Sequence, residues 1–448
     1  MLITQAKKTL NLAFPIIIGE VAQLSLGLID SAMVGAVSYK QLAASALVFS
    51  VINIPFVFGI GITISVSQLV SMSHGQNDKK LVSHYLFNGF WLSAIAAVLI
   101  AILVELSLPL LFHLDQDPEV AMLAAPYLRI MGWGVIPMLL FMSLKQFTDG
   151  LEFTKTAMIM SILAIPVKVF LNWLIIFGNW GFPRWELYGA GVATLITRIL
   201  LFLGLLWVIF RHSLFRRYII IGRRAWTFRW QSIRQLLYIG IPSGFQIAME
   251  AGAFALSSIL VGTLGAVALA AHQIALSLAS FTFMISIGLS QAASIRTSSG
   301  FGRRDQPLIG RIGRSTLYVG WIYGGLCALL FFLFRNRLPY IFNDNSEVVS
   351  LATVLIILGA LFQISDSSQA ITAGLLRGIK DVKVPTVFIG IAYWVIGLPM
   401  GYLLSFKAGL GASGIWIGFI IGLTFSAIFL FFRFSKMVWK NPINKWDI

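Results

Sequence analysis

Residues 241–262 read IPSGFQIAMEAGAFALSSILVG, and residues 14–35 read FPIIIGEVAQLSLGLIDSAMVG. Both are apolar runs with a proline near the start and Val-Gly at the end. Both also carry carboxylates in mid-run: Glu20 and Asp30 in the first, Glu250 in the second. About 20 apolar residues cross a bilayer as one helix, so each run predicts a transmembrane span. An offset of 227 lays residues 14–78 on 241–305 without a gap. Pro15 then meets Pro242, Leu42-Ala43-Ala44 meets Leu269-Ala270-Ala271, Gly61 meets Gly288, Ser67 meets Ser294, and Asp78 meets Asp305. Two unrelated apolar helices would not keep Pro, Gly, Ser and Asp in one register over such a length. The chain is an internal duplication.

Apolar runs fall near 10–34, 44–72, 86–112, 124–146, 157–178, 188–211, 235–262, 268–295, 315–334, 350–375, 385–406 and 411–433. The expected fold is all-α and polytopic, with twelve transmembrane helices in two pseudo-symmetric six-helix lobes around a central cleft. The lobes are 1–211 and 233–448, joined by a basic linker at 212–232. Each repeat follows an even number of spans, so the repeats are parallel, related by an axis along the membrane normal. Composition agrees: 58% of the 448 residues are hydrophobic and only 11% charged, against about 25% charged in soluble domains. That also excludes a barrel with a polar lumen.

The net charge of +16 invites a nucleic-acid reading, but the basic residues are sorted by loop. Lys7, Lys8, Lys79, Lys80, Lys145 and Lys155, the arginines from Arg211 to Arg234 (Arg223 and Arg224 among them), Arg296 to Arg314, Arg377 to Lys383, and Arg433 to Lys445 fall on alternate connections. Together these make 25 of the 33. Such asymmetry marks a cytoplasmic face. Both termini are expected there, in a multi-pass plasma (inner) membrane protein with no nucleic-acid partner. The lone Cys327 excludes an internal disulfide framework. The run after Lys7 and Lys8 is too long for a signal-peptide core and reads as the first span.

A charge at mid-bilayer costs about 2.5–3.5 kcal/mol on insertion scales, so each one demands a reason. Glu20, Asp30, Glu250 and Asp366 lie well inside runs, and each is a candidate proton or cation site or a helix-pairing contact. Lys168 and Asn172 sit i and i+4 on one helical face, and Lys168 calls for a carboxylate partner, with Asp30 and Glu20 available. Arg198 is the other basic residue expected within a span. His272 reads as a helix-contact hydrogen bonder more than a relay. The pairs Gly397/Gly401 and Gly418/Gly422 suit close helix packing. No phosphate-loop, H-E-x-x-H or G-x-S-x-G motif occurs. The sequence therefore offers no basis for an ATP-driven pump or membrane hydrolase, and the chain is not expected to be an enzyme.

Helix 1 carries Pro15…Gln23…Gly27…Asp30…Val34-Gly35. Helices 7 and 8 carry Gly240-Ile-Pro242…Gln246…Glu250 and Leu269-Ala-Ala-His272-Gln. Helix 10 and its loop carry Gln363-Ile-Ser-Asp366 and Leu376-Arg-Gly-Ile-Lys-Asp381, followed by Tyr393…Pro399. Over essentially the whole chain this resembles the multidrug and toxic compound extrusion (MATE) family, NorM-type branch. The resemblance implies export of organic cations in exchange for Na⁺ or H⁺, with no other cofactor. It assigns Glu250 and Asp366 to the C-lobe cation site, the only residues where it suggests a metal ion (Na⁺), and Asp30 near Asn172 to the N-lobe. Three positions depart from the pattern. Lys168 stands where the family tends to have asparagine, Phe362 where some sodium-coupled members carry tyrosine, and Glu20 lies outside it. The expectation is a secondary antiporter, functional as a monomer in the lipid bilayer, with small organic cations as substrates. A flippase for a lipid-linked or amphipathic substrate is the same-class alternative. A non-transporting scaffold or sensor is the different-class one.

Overall fold

The computed structural model describes residues 2–113, 117–220 and 226–440. Arg223, Arg224 and Lys445 of the charge argument lie outside them. Twelve helices among the described residues are long and apolar enough to cross a membrane. They are α1 (Leu2–Gly35), α2 (Tyr39–Gly75), α3 (Lys79–Phe112), α4 (Pro118–Gly150), α5 (Thr154–Ile175), α6 (Glu186–Arg211), α7 (Trp230–Gly262), α8 (Ala266–Gly302), α9 (Gln306–Phe334), α10 (Ser346–Gly378), α11 (Lys383–Lys407) and α12 (Ala412–Lys440). No strand occurs among the described residues.

Several helices outrun their apolar cores, and this corrects the charge reading. α4 continues to Gly150, α8 to Gly302 and α10 to Gly378. Lys145, Arg296 and Arg377, counted above as loop residues, are therefore buried within helices. A hydropathy run ends where polar residues begin, whereas a helix ends where its backbone is capped.

The chain forms two compact units, one of residues 18–244 and one of 1–17 with 245–448. These bounds differ from the expected 1–211 and 233–448 because the first helix of each repeat is divided between units. In unit 18–244, the opening turns of α7 approach α2 so closely that a Cβ on Gly61 would overlap Gly244 Cα. In the other unit, a Cβ on Gly288 would overlap the Ile17 side chain. Gly61 and Gly288 are repeat mates, and so are Gly244 and Ile17. The described part of the linker is held in unit 18–244: Trp226 stacks on Phe87 at 4.1 Å, and Ile220 N–H donates to Ser83 Oγ at 3.1 Å.

The duplication extends to caps and turns. Asp78 Oδ1 accepts from Leu81 N–H at 2.9 Å, and its mate Asp305 Oδ1 accepts from Leu308 N–H at 2.9 Å. Asn77 and Arg304, mates one residue earlier, have φ of 58° and 56°. A Cβ on Gly150 would lie 2.7 Å from Ser67 O, and one on Gly378 would lie 2.7 Å from Ser294 O. After each of those glycines, Glu152 and Lys380 turn the chain with φ of 66° and 65°. Lys380 lies between spans and is partly buried, which pulls its ammonium below the ordinary lysine value. In α11 and α12 the small residues pack as the spacing suggests: Gly418 meets Gly397 O and the Gly401 backbone.

Candidate functional site

In unit 18–244, Asp30 on α1 gathers three partners from two helices. Lys168 Nζ stands 2.8 Å from Asp30 Oδ1, and Asn172 Nδ2 donates to the same oxygen at 2.8 Å. The Thr194 hydroxyl on α6 lies 3.0 Å from Asp30 Oδ2 and 2.8 Å from Ala190 O, and it accepts from Lys168 Nζ. The i, i+4 spacing on α5 puts Lys168 and Asn172 on one face. Lys168 is 1% exposed and Asp30 15%, so the pair is withdrawn from solvent. Asn172 Oδ1 and Arg198 Nη1 are buried with no hydrogen-bond partner among the described residues.

Glu20, ten residues earlier on α1, belongs to a different cluster. Its Oε1 is 2.9 Å from Lys145 Nζ on α4, and Lys145 Nζ is also 3.4 Å from Asp149 Oδ2. Sequence reasoning missed Asp149 and misplaced Lys145. Their i, i+4 spacing and the apolar run just before them were the available signals.

In the other unit, Glu250 on α7 accepts the Tyr393 hydroxyl at 3.2 Å. Tyr393 sits in a π-helical turn, residues 391–397 of α11. Pro399, just beyond, lacks the N–H that would bond back into this turn, and such widened turns recur at functional sites. Asp366 on α10 is 2% exposed, lies within electrostatic range of Glu250, and has an Oδ2 with no hydrogen-bond partner among the described residues. Gln363, one turn before, is fully buried, with neither amide atom partnered among the described residues. Arg377 Nη2 donates to Gln246 Oε1 at 3.4 Å and lies within electrostatic range of Glu250. The donors around the two acids are carboxylate, amide and phenol oxygens. That chemistry suits a proton or a hard cation rather than a soft metal. Groups of three or more His, Cys, Asp or Glu able to hold a metal do not occur among the described residues.

Phe362 takes no part in this polar set. It packs edge-on against Phe254 at 6.2 Å and Trp416 at 5.7 Å. Phe254 also meets Tyr393 and Phe419, at 5.9 and 5.0 Å. The hydroxyl that a tyrosine at 362 would contribute is absent, while Tyr393 brings one from another helix. His272 is fully buried. Trp416 Nε1–H donates to its Nδ1 at 3.1 Å, and its Nε2 faces Ser258 Oγ at 3.2 Å. A ring whose Nδ1 accepts carries its proton on Nε2 and joins α8 to α7 and α12 as a neutral group.

Comparison with known proteins bears on the whole chain. The MatE family model matches residues 15–174 and again 242–403, two copies whose starts are offset as the internal repeat is. A protein described as "Probable multidrug resistance protein NorM" from Rhizobium meliloti (strain 1021) is 34% identical over 97% of this chain and 94% of its own length. "Multidrug resistance protein MdtK" from Yersinia pseudotuberculosis serotype O:1b (strain IP 31758) is 33% identical over 98% and 97%. Among solved structures, the eukaryotic MATE transporter AtDTX14 superposes with a TM-score of 0.89 at 20% identity, covering 99% of this chain and 98% of that one. A MOP superfamily transporter from Pyrococcus furiosus, described as having reverse polarity of its binding pocket, superposes at 0.87 and 20% identity over 96% of each chain. With its duplicated family match and relatives a third identical over nearly their whole length, this multi-pass membrane protein belongs to the MATE family of multidrug efflux transporters.

Proposed function

We propose that the chain is a secondary antiporter that exports small organic cations in exchange for Na⁺ or H⁺, with Glu250 and Asp366 as the coupling acids. One observation carries the reading. Asp366 is buried, its Oδ2 is unpartnered, and Glu250 lies within electrostatic range. Two like charges in a poorly hydrated setting favour taking up a cation, whether a proton or a sodium ion. Asp366, Glu250 and the Gln363 amide oxygen would supply the ligands. Loading that pair and holding an organic cation are then competing ways of neutralising the same charge. The loaded form biases the equilibrium between transport states by its differential affinity.

Asp30 and Asn172 form a second cation- or proton-linked element, and Lys168 is its internal counter-charge. With its oxygens already held by Lys168, Asn172 and Thr194, Asp30 has less need of an external ion than Asp366. Both termini face the cytoplasm of a plasma or inner membrane, the working unit is a monomer, and nucleic acid is not a partner. The names of the NorM and MdtK relatives support drug export. A flippase would use buried cations to hold an anionic headgroup. The ammonium of Lys168 is engaged by Asp30, which speaks against that role for it and leaves Arg198 as the one other basic residue expected to serve it. A scaffold or sensor gives no reason for the buried acids.

The test is transport by the full chain in proteoliposomes, with sodium and proton gradients imposed separately. Export of a fluorescent organic cation should follow one of the two gradients and collapse in Glu250→Gln and in Asp366→Asn. Unchanged gradient-driven export in both variants would overturn the assignment. The absence of any solute flux from the folded parent protein would favour the scaffold reading.

A further inference from the structure

The cluster of Glu20, Lys145 and Asp149 is absorbed by none of the roles above. Lys145 is 2% exposed, Asp149 1% and Glu20 19%, all in unit 18–244. Two carboxylates face one ammonium: Glu20 Oε1 at 2.9 Å and Asp149 Oδ2 at 3.4 Å from Lys145 Nζ. Apart from the Lys145 ammonium, neither oxygen of Asp149 has a partner among the described residues. Asp149 also lies in the last turn of α4, which ends at Gly150. There the free carbonyls put negative potential along the helix axis and disfavour an anion. A buried carboxylate in that place, facing an ammonium that it shares with Glu20, is a costly arrangement.

Among the described residues, the charged groups acting on Asp149 are Lys145 and Glu20, and those acting on Lys145 are Glu20 and Asp149. α2 approaches the same helix end at Gly150 and presents Ser67 and Val70. On the side of Phe147, the rings of Phe215 and Phe153 follow in contact. The repeat sharpens the point. The register that pairs Gly150 with Gly378 pairs Asp149 with Arg377, so one repeat has an acid where the other has a base. Arg377 reaches the first helix of its own repeat at Gln246, as Asp149 reaches Glu20 through Lys145.

We propose that Glu20, Lys145 and Asp149 form a proton-binding site, in which a single proton is held by the two carboxylates opposite Lys145. With that proton in place, one carboxylate remains ionised against the ammonium. The other becomes a neutral acid whose O–H can donate, so the cluster is charge-balanced. Losing the proton leaves an excess negative charge at the end of α4, where α2 packs tightly on Gly150.

The experiment is infrared difference spectroscopy of the purified full-length protein in detergent, titrated from alkaline to acidic pH. The parent protein should gain a carboxylic-acid C=O band that Asp149→Asn loses. Glu20→Gln should remove or shift the same band. Glu20 is the less buried acid, so this variant carries the test if Asp149→Asn fails to fold. Lys145→Met should strengthen the band, because without the ammonium both carboxylates must be neutralised. The band should persist in the Glu250→Gln/Asp366→Asn double variant, which separates this site from the proposed coupling pair. Identical spectra for the parent, Asp149→Asn and Glu20→Gln would overturn the proposal. So would saturable sodium binding that Asp149→Asn abolishes.

Discussion

Lys168 Nζ and Asp30 Oδ1 stand 2.8 Å apart, so the deepest lysine of α5 is spent on the carboxylate of α1 in its own unit. Removing one partner of a buried pair leaves the other unpaired, at a cost of about 3–5 kcal/mol. Lys168→Met and Asp30→Asn should each lower the thermal unfolding midpoint of the detergent-solubilised protein. The double variant should lose less than the two single losses combined, because neither charge is then left alone. Strict additivity in that double-mutant cycle would mean that the two groups do not support each other.

Tyr393 is the hydroxyl donor to Glu250, and Tyr393→Phe deletes only that oxygen from a fully buried ring. The stability cost should be that of one hydrogen bond, about 0.5–1.5 kcal/mol, and the protein should fold and reconstitute. Gradient-driven export in proteoliposomes should nevertheless weaken, because Glu250 loses a fixed partner. If export is unaffected while Glu250→Gln abolishes it, the phenol is not part of the coupling site.

The spans, their number and the duplication were legible because each rests on many residues at once. Apolar runs need about 20 residues, and the repeat keeps Pro15, Gly61 and Asp78 in register with their mates. Asp30 and Lys168 were visible as charges inside such runs, and reciprocal need suggested a pairing. Lys145 and Asp149 were not visible. They sit where α4 continues past its apolar core, and in sequence a basic residue there looks like the start of a cytoplasmic loop. The contact of Tyr393 with Glu250 was hidden for another reason. A tyrosine in an apolar helix looks the same whether or not its hydroxyl faces an acid, and the π turn that directs it depends on packing. The division of α1 and α7 between units depends on contacts such as Gly61 with Gly244, which link residues far apart in sequence.

Gly150 and Gly378 make matched approaches to Ser67 O and Ser294 O, each leaving only 2.7 Å for a Cβ. Because the obstacle is backbone oxygen, Gly150→Ala and Gly378→Ala should each destabilise the protein by about 1–3 kcal/mol. Gly27 and Gly325 have nothing within 4 Å of the corresponding position. Alanine there should be neutral or stabilising, by up to about 1 kcal/mol from helix propensity. Thermal melts of the four variants would check both halves, and equal effects at all four sites would contradict the packing.

Asp78 and Asp305 cap α3 and α9 through the same bond, to Leu81 N–H and Leu308 N–H. An N-cap carboxylate lost to alanine costs about 0.5–2 kcal/mol. Asp78→Ala and Asp305→Ala should fall in that range and close to each other, since the preceding residues, Asn77 and Arg304, share one backbone conformation. A large loss from one with none from the other would show that the caps are not equivalent.

His272 supplies the last test, because its surroundings define a charge state. Trp416 Nε1–H points at Nδ1, so that nitrogen must keep a free lone pair, and a second ring proton would break the bond. This geometry predicts that His272 holds α8 to α12 rather than carrying protons through the membrane. His272→Ala should leave the Trp416 indole N–H buried and unpaired, at a cost of about 1–3 kcal/mol. His272→Asn, whose amide oxygen offers an acceptor, should recover part of that stability. Export by His272→Asn should keep the parental dependence on pH, whatever its absolute rate. A pH profile that moves or flattens in this variant would assign the histidine to proton transfer and overturn the structural role.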